Sequence, residues 1–208
     1  MKIVKQLLAA GLLLASTYSH ATLITYETQA FTGNFSMSDL MTEWYARGGA
    51  QTSQALTSFE QVYSGNYTFS RLIIDVSMAE AGVWTLEAGL DAGFGAQMYV
   101  DGVSVLKDPT NIWWKYNWNH EDVIRVEDIS LNTGKHKIEL FWLENCCNGY
   151  NSVRLIDQTR STISFLSVNA VQAAQGQAQI PEPYTYALFG VGLLALGSRV
   201  GRKASPTP

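Results

Sequence analysis

The sequence predicts an all-β domain, an antiparallel sandwich with one short N-terminal helix, set between two hydrophobic end segments. Three observations carry that prediction. Apolar and polar residues alternate with period two from Phe69 onward, the pattern of half-buried strands. Turn signals such as Asp101-Gly102 and Asn132-Thr133-Gly134 separate those runs at a spacing typical of sandwiches and barrels. Only 15% of the 208 residues are charged while 47% are hydrophobic, so the chain has the composition of a packed fold and not of a disordered one.

In chain order, residues 1–21 read as a secretory signal peptide. Lys2 and Lys5 open it, an apolar run from Leu7 to Ala15 follows, and Ser19-His20-Ala21 sets small residues at −3 and −1 of a cleavage site. Ser36-x-x-Asp39 is expected to cap a short helix through Ala46, closed by Gly48-Gly49, with Leu40, Met41 and Trp44 toward the core. Leu72, Ile74 and Val76 share one strand face; Trp84, Leu86, Ala88 and Leu90 share the next, with Thr85, Glu87 and Asp91 opposite. Met98 and Val100 run into Asp101-Gly102, a dipeptide that accepts the positive φ values of a two-residue hairpin, and Val103 to Leu106 form the returning strand. Val123 to Leu131 is a further strand, and His136, Ile138, Leu140 and Trp142 are one face of the next. Val153 to Ile156 and Ile163 to Val168 complete about seven strands, giving a domain over residues 22–170. The Ala/Gln-rich stretch 171–180 is small, polar and without a clear apolar face, so it reads as a linker.

Residues 181–208 hold Pro181-Glu182-Pro183, an apolar run from Tyr184 to Leu196, and then Arg199, Arg202 and Lys203. That run is shorter than the ~20 residues that span a bilayer comfortably, although Pro183 to Ser198 would cross with snorkelling basic ends. Basic residues stay on the cytoplasmic side, so both ends place the middle of the chain outside, after transient inner-membrane anchoring through the C-terminal helix. Between the ends, nine basic residues face seventeen acidic ones, a net charge of −8. Phosphate recognition needs a basic surface, so nucleic acid is excluded as a partner.

The three-part tail resembles the PEP-CTERM sorting signal: a Pro-Glu-Pro motif, a hydrophobic stretch and a basic terminus, in that order. The resemblance implies export through the general secretion machinery and signal peptidase. It further implies recognition by an exosortase-type membrane peptidase in a Gram-negative bacterium that secretes exopolysaccharide, with cleavage near Pro181 to Pro183. The final location would be the cell surface or extracellular matrix. The trailing Lys203-Ala-Ser-Pro-Thr-Pro208 departs from the usual pattern, being longer and less basic.

Cys146 and Cys147 are the only cysteines. In an exported chain they pair with each other, pair with another chain, or stay free. A ring between neighbours is the preferred reading. It would be strained and would remove almost no loop entropy, so its use is local, in rigidifying Glu144 to Gly149 and offering an apolar disc to a ligand. Asn145 and Asn148 flank it with amides suited to sugar hydroxyls. Two thiols without matching His or Cys elsewhere make a poor zinc site.

Gly82-Val-Trp-Thr85, Asp91-Ala-Gly-Phe-Gly-Ala96, Met98-Tyr-Val-Asp-Gly102 and Leu131-Asn-Thr-Gly-Lys-His136 resemble the protective-antigen-type β-sandwich of bacterial toxins, glycosidases and yeast flocculins. The match covers roughly Gly82 to Ile156. With the tail and the Cys-Cys-Asn-Gly run, the chain also resembles the CCXG group of PEP-CTERM proteins, for which no activity is implied. The resemblance implies a lectin-like, jelly-roll fold. In the lectins of the sandwich family a calcium ion on two consecutive aspartates organises the sugar site. Here Asp91 alone stands at that place, followed by Ala92, so calcium would draw its remaining oxygens from loop carbonyls, Asn145 or Asn148. No other cofactor is expected.

Trp113, Trp114, Tyr116, Asn117 and Trp118 form the second candidate constellation. Exposed rings stack on the C–H faces of sugars while amides meet hydroxyls; the competing reading is that Trp114 and Trp118 plug the end of the sandwich. Only His120 and His136 remain in the exported part. His136 reads as structural, and His120 beside Glu121-Asp122 has no recognisable nucleophile partner. The residues therefore point to a non-catalytic carbohydrate-binding surface or matrix protein, with extracellular polysaccharide as partner. A structural matrix protein without sugar binding and a polysaccharide hydrolase are the alternatives.

Overall fold

Alternation becomes two facing sheets in the computed structural model, which describes residues 22–32, 39–147, 149–156 and 162–175. The signal peptide, Ser36, Asn148 and the sorting segment with Pro181, Glu182, Pro183, Arg199, Arg202 and Lys203 lie outside the described residues. Thirteen strands and two helices form among those described. Six strands make one antiparallel sheet: β1 (Leu23–Ala30), β2 (Thr52–Leu56), β4 (Thr68–Met78), β7 (Ala96–Val100), β8 (Val103–Asp108) and β11 (Gly134–Glu144), in the order β2-β1-β4-β11-β7-β8. The other sheet runs β10 (Ile124–Leu131), β5 (Gly82–Gly89), β12 (Tyr150–Ile156), β13 (Ile163–Phe165), with the short β3 (Val62–Tyr63) also on β12. A two-residue pair, β6 (Asp91–Ala92) with β9 (Ile112–Trp113), stands apart.

The residues predicted to share faces meet between the sheets. Leu72, Ile74 and Val76 of β4 and Ile138, Leu140 and Trp142 of β11 pack in one buried cluster with Trp84, Leu86 and Ala88 of β5. Asp101 (φ 51°) and Gly102 (φ 80°) make the expected hairpin between β7 and β8. Asp101 also accepts from the Lys137 N–H (2.8 Å) and bonds His136 Nδ1 (2.7 Å), which gives His136 its structural role.

The helix forms as α1 (Leu40–Ala46), capped by Asp39, whose side chain accepts from the Thr42 N–H at 2.7 Å. Leu40 and Trp44 are buried against Phe69, Phe141 and Leu143 on the outer face of the six-stranded sheet. Trp44 meets Phe69 and Phe141 edge-on at 5.1 and 5.9 Å between centroids. The outer face of β4 and β11 is thus buried too, which is why Arg71 and Glu139 lie inside. Arg71 bonds Glu139 and, at 2.8 Å, Glu27, so the buried charges are paired.

Three expectations are corrected. Thr85 and Glu87, placed opposite the core face, are buried as well: Glu87 sits between Arg125 and Arg154 on the neighbouring strands, and that pairing permits its burial. The strand expected over Ile163 to Val168 ends at Phe165. The linker expected from residue 171 instead begins inside α2 (Val168–Ala174), a second helix. The Ser167 side chain caps it by accepting from the Ala170 N–H (3.1 Å), and Val171 is fully buried in the core, with Val168 and Ala174 packed against it.

Candidate functional site

The site grows from the loop that joins β9 to β10. Trp114 pins it: the ring is 3% exposed, Nε1 donates to the Tyr150 carbonyl at 3.0 Å, and the ring lies flat against Gly89, where a Cβ would overlap it. Gly89 is glycine because the ring comes that close. Around this pin the other aromatics diverge. Trp113 and Tyr116 are each 51% exposed. Trp118 is half-buried, 4.6 Å from Trp114, which also meets Tyr116 at 5.5 Å, and it packs on Phe165 and under the Arg154 guanidinium. Lys115 (φ 54°) and Tyr116 (φ 56°) take the left-handed conformation that turns the loop.

Trp113 and Tyr116 wall a cleft of about 330 Å³ whose other side is the end of β11. There Cys146 and Cys147 are disulfide-bonded to each other, and both residues are exposed. Cys147 (φ 69°) turns the chain so that Gly149 comes against the Asp91 carboxyl, leaving no space for a side chain at residue 149. Asn111 and Asn145 bring amides to the rim, and Asp91 and Glu144 form the floor. The vicinal ring is the outcome among the pairings left open by sequence.

The floor has unusual electrostatics. Glu144 is 1% exposed; its Oε1 accepts from the Cys146 N–H at 2.8 Å, and its Oε2 has no other donor. Burial first, and then the Asp91 carboxylate, push the Glu144 carboxyl up to about 8; burial also raises Asp91. Burial and the neighbouring carboxylate both favour the protonated form, so the pair keeps a proton to above the usual carboxylate range. Asp91 is held in place because its N–H donates to Asn151 Oδ1 (2.9 Å), a fully buried amide that also ties down Val62 and Ser64. Calcium needs six to eight oxygens, and among the described residues no group of three or more His, Cys, Asp or Glu side chains is placed to hold a metal.

The structure therefore brings Trp113, Tyr116, Asn145, Cys146 and Cys147 together around one cleft, with Asp91 beneath. It sets three predicted residues elsewhere: Trp114 is core, Trp118 lines a different cleft, and Asn117 is exposed without lining this one. Sequence reasoning placed Glu144 in the cysteine loop but gave it no part in the site. The signal for Glu144 was its place at the end of an alternating strand, adjoining the cysteine pair.

The two antiparallel sheets match solved domains of the protective-antigen-type (PA14) sandwich in fold. The solved PA14 sugar-binding domain from an RTX adhesin matches them with a TM-score of 0.51 and 11% identity, over 72% of this chain and 97% of that one. Two others are similar: the PA14 domain of the antifreeze protein MpAFP (TM-score 0.48, 13% identity, 74% and 93% covered) and the epithelial adhesin 9 A domain from Candida glabrata, solved with Galβ1-3GlcNAc (0.46, 10%, 73% and 92%). Residues 179–203 match the PEP-CTERM protein-sorting motif, which marks the chain as an exported, exosortase-sorted surface protein. No curated protein matches the chain in sequence. Among the described residues no helix is long and apolar enough to cross a membrane.

Proposed function

We propose that this chain is a non-catalytic carbohydrate-binding module, displayed on the surface or in the extracellular matrix of an exopolysaccharide-producing Gram-negative bacterium after exosortase processing. Its ligand is an extracellular polysaccharide, held in the cleft between the Cys146–Cys147 ring and the Trp113 and Tyr116 rings. One observation carries the reading: an exposed disulfide disc faces two half-exposed aromatic rings across a cleft of sugar size, with Asn111 and Asn145 at its edge. Apolar faces take the C–H faces of a pyranose, and amides take its hydroxyls. The PA14 domain of the RTX adhesin, a sugar-binding domain of similar fold, supports this reading.

The test is binding of the full-length protein, purified in mild detergent, to a panel of bacterial polysaccharides with and without a phosphine reductant. Saturable binding that reduction abolishes is the expected result. Binding indifferent to reduction and to Trp113→Ala would overturn the reading.

A further inference from the structure

A second cleft, of about 430 Å³, opens on the outer face of the β10-β5-β12-β13 sheet. It is independent of the cysteine ring. Its floor is a cross-strand triad: Glu87 on the middle strand β5 stands in register with Arg125 on β10 and Arg154 on β12. The Glu87 side chain is 1% exposed; one of its oxygens accepts from Arg125 Nη2, the other from Arg154 Nε and Nη2. A buried carboxylate held by two guanidiniums is the kind of support that fixes a binding group in one orientation.

The two arginines differ in what they have left to offer. Arg154 is spent: two of its nitrogens are on Glu87 and its guanidinium lies 3.9 Å from the Trp118 ring centroid, at 19% side-chain exposure. Arg125 places a single nitrogen on Glu87 and is 51% exposed, so the rest of its fork faces the cleft. The apolar wall is Trp118 with Ile156 and Ile163, the last 54% exposed, and Thr85 and Asn119 bring polar groups. Glu127, also on β10, lines the cleft and brings its formal charge to zero. Attraction here therefore works at hydrogen-bond range and not through a long-range field.

We infer that this cleft is a second saccharide site, specific for a sugar bearing a carboxylate, with Arg125 as the group that reads the carboxylate. A planar carboxylate matches the guanidinium fork in two parallel bonds, which an uncharged sugar does not. The wall of Trp118, Ile156 and Ile163 takes the ring's apolar face. One loop thus supplies both clefts, Trp113 and Tyr116 to the first and Trp118 to the second, with the buried Trp114 between them.

The experiment measures binding of the full-length protein in mild detergent to oligogalacturonate and, as the uncharged comparison, to the same oligomer methyl-esterified. The expected result is saturable binding to the acid form that is at least about tenfold weaker for the ester, and at least about tenfold weaker for Arg125→Gln. Binding should also weaken as salt rises. The Cys146→Ser/Cys147→Ser double variant should bind the acid form as the wild type does, which separates this site from the first cleft. Glu87 keeps both of its Arg154 bonds in Arg125→Gln, so the variant should still fold, and a single cooperative unfolding transition verifies that. Equal binding of acid and ester, no binding of the acid, Arg125→Gln within twofold of wild type, or loss of binding in the cysteine variant would each overturn the inference.

Discussion

Replacing Glu144 with glutamine tests the electrostatics of the first cleft. The wild-type carboxyl is raised from 4.5 to about 8, by burial and then by Asp91. A group whose native value is raised keeps its proton after the unfolded chain has lost it, so its contribution to stability is complete below about pH 4.5. It is lost as pH rises through about 8. Each pKa unit corresponds to about 1.4 kcal/mol, so the full shift sets a ceiling between about 4 and 5 kcal/mol. Titration shared with Asp91 brings the expected loss to the order of 2–3 kcal/mol. His136, raised by its bonds to Asp101 and the Asn132 carbonyl against an opposing burial effect, adds a loss of the same sign. The informative quantity is therefore the difference between proteins. Urea midpoints measured from about pH 5 to about pH 9 should fall steeply for wild type and less for Glu144→Gln, whose amide stays neutral throughout. A variant with the wild-type slope would refute the shared proton.

The pin of the aromatic loop gives two linked expectations. Trp114→Ala removes a buried ring and the Nε1 bond to Tyr150, and should cost about 3–5 kcal/mol by chemical denaturation. Gly89→Ala drives a methyl into that ring and should cost about 1–3 kcal/mol alone, but far less on the Trp114→Ala background, where the clash is gone; additive losses would contradict the packing. Arg71→Met leaves Glu27 and Glu139 buried without a counter-charge and should cost about 3–5 kcal/mol, read from the same midpoints; a neutral result would mean the carboxylates are hydrated.

The inter-sheet core was legible because β5 writes its inner face as strict alternation, and the Asp101-Gly102 hairpin because its φ values are those the dipeptide favours. The strands before Phe69 were not read. β1 and β2 hold Thr, Gln, Ser and Glu on faces that pairing to β4 and to each other supports, which periodicity alone does not reveal. Nor was the outer face of β4 and β11, because α1 covers it from a distance in sequence. α2 escaped for a related reason: Val168 was assigned to the preceding strand, which left only Val171 and small alanines as apolar signal in the stretch that followed. At the site, spacing suggested that the cysteine loop and Trp113 and Tyr116 serve one ligand. It did not separate Trp118 from them, since three tryptophans on one loop read alike until Gly89 and Tyr150 show which ring is inside.

The central claim is that the cysteine ring and the facing aromatics form a sugar-binding surface. Its most direct measurement is the affinity of the full-length protein for the polysaccharide that binds best on the panel, compared among wild type, Cys146→Ser/Cys147→Ser and Trp113→Ala. The account predicts saturable wild-type binding and at least about a tenfold loss in both variants, with unfolding cooperativity retained. Affinity in both variants within twofold of wild type, or no saturable binding by the folded, oxidised protein, would contradict it.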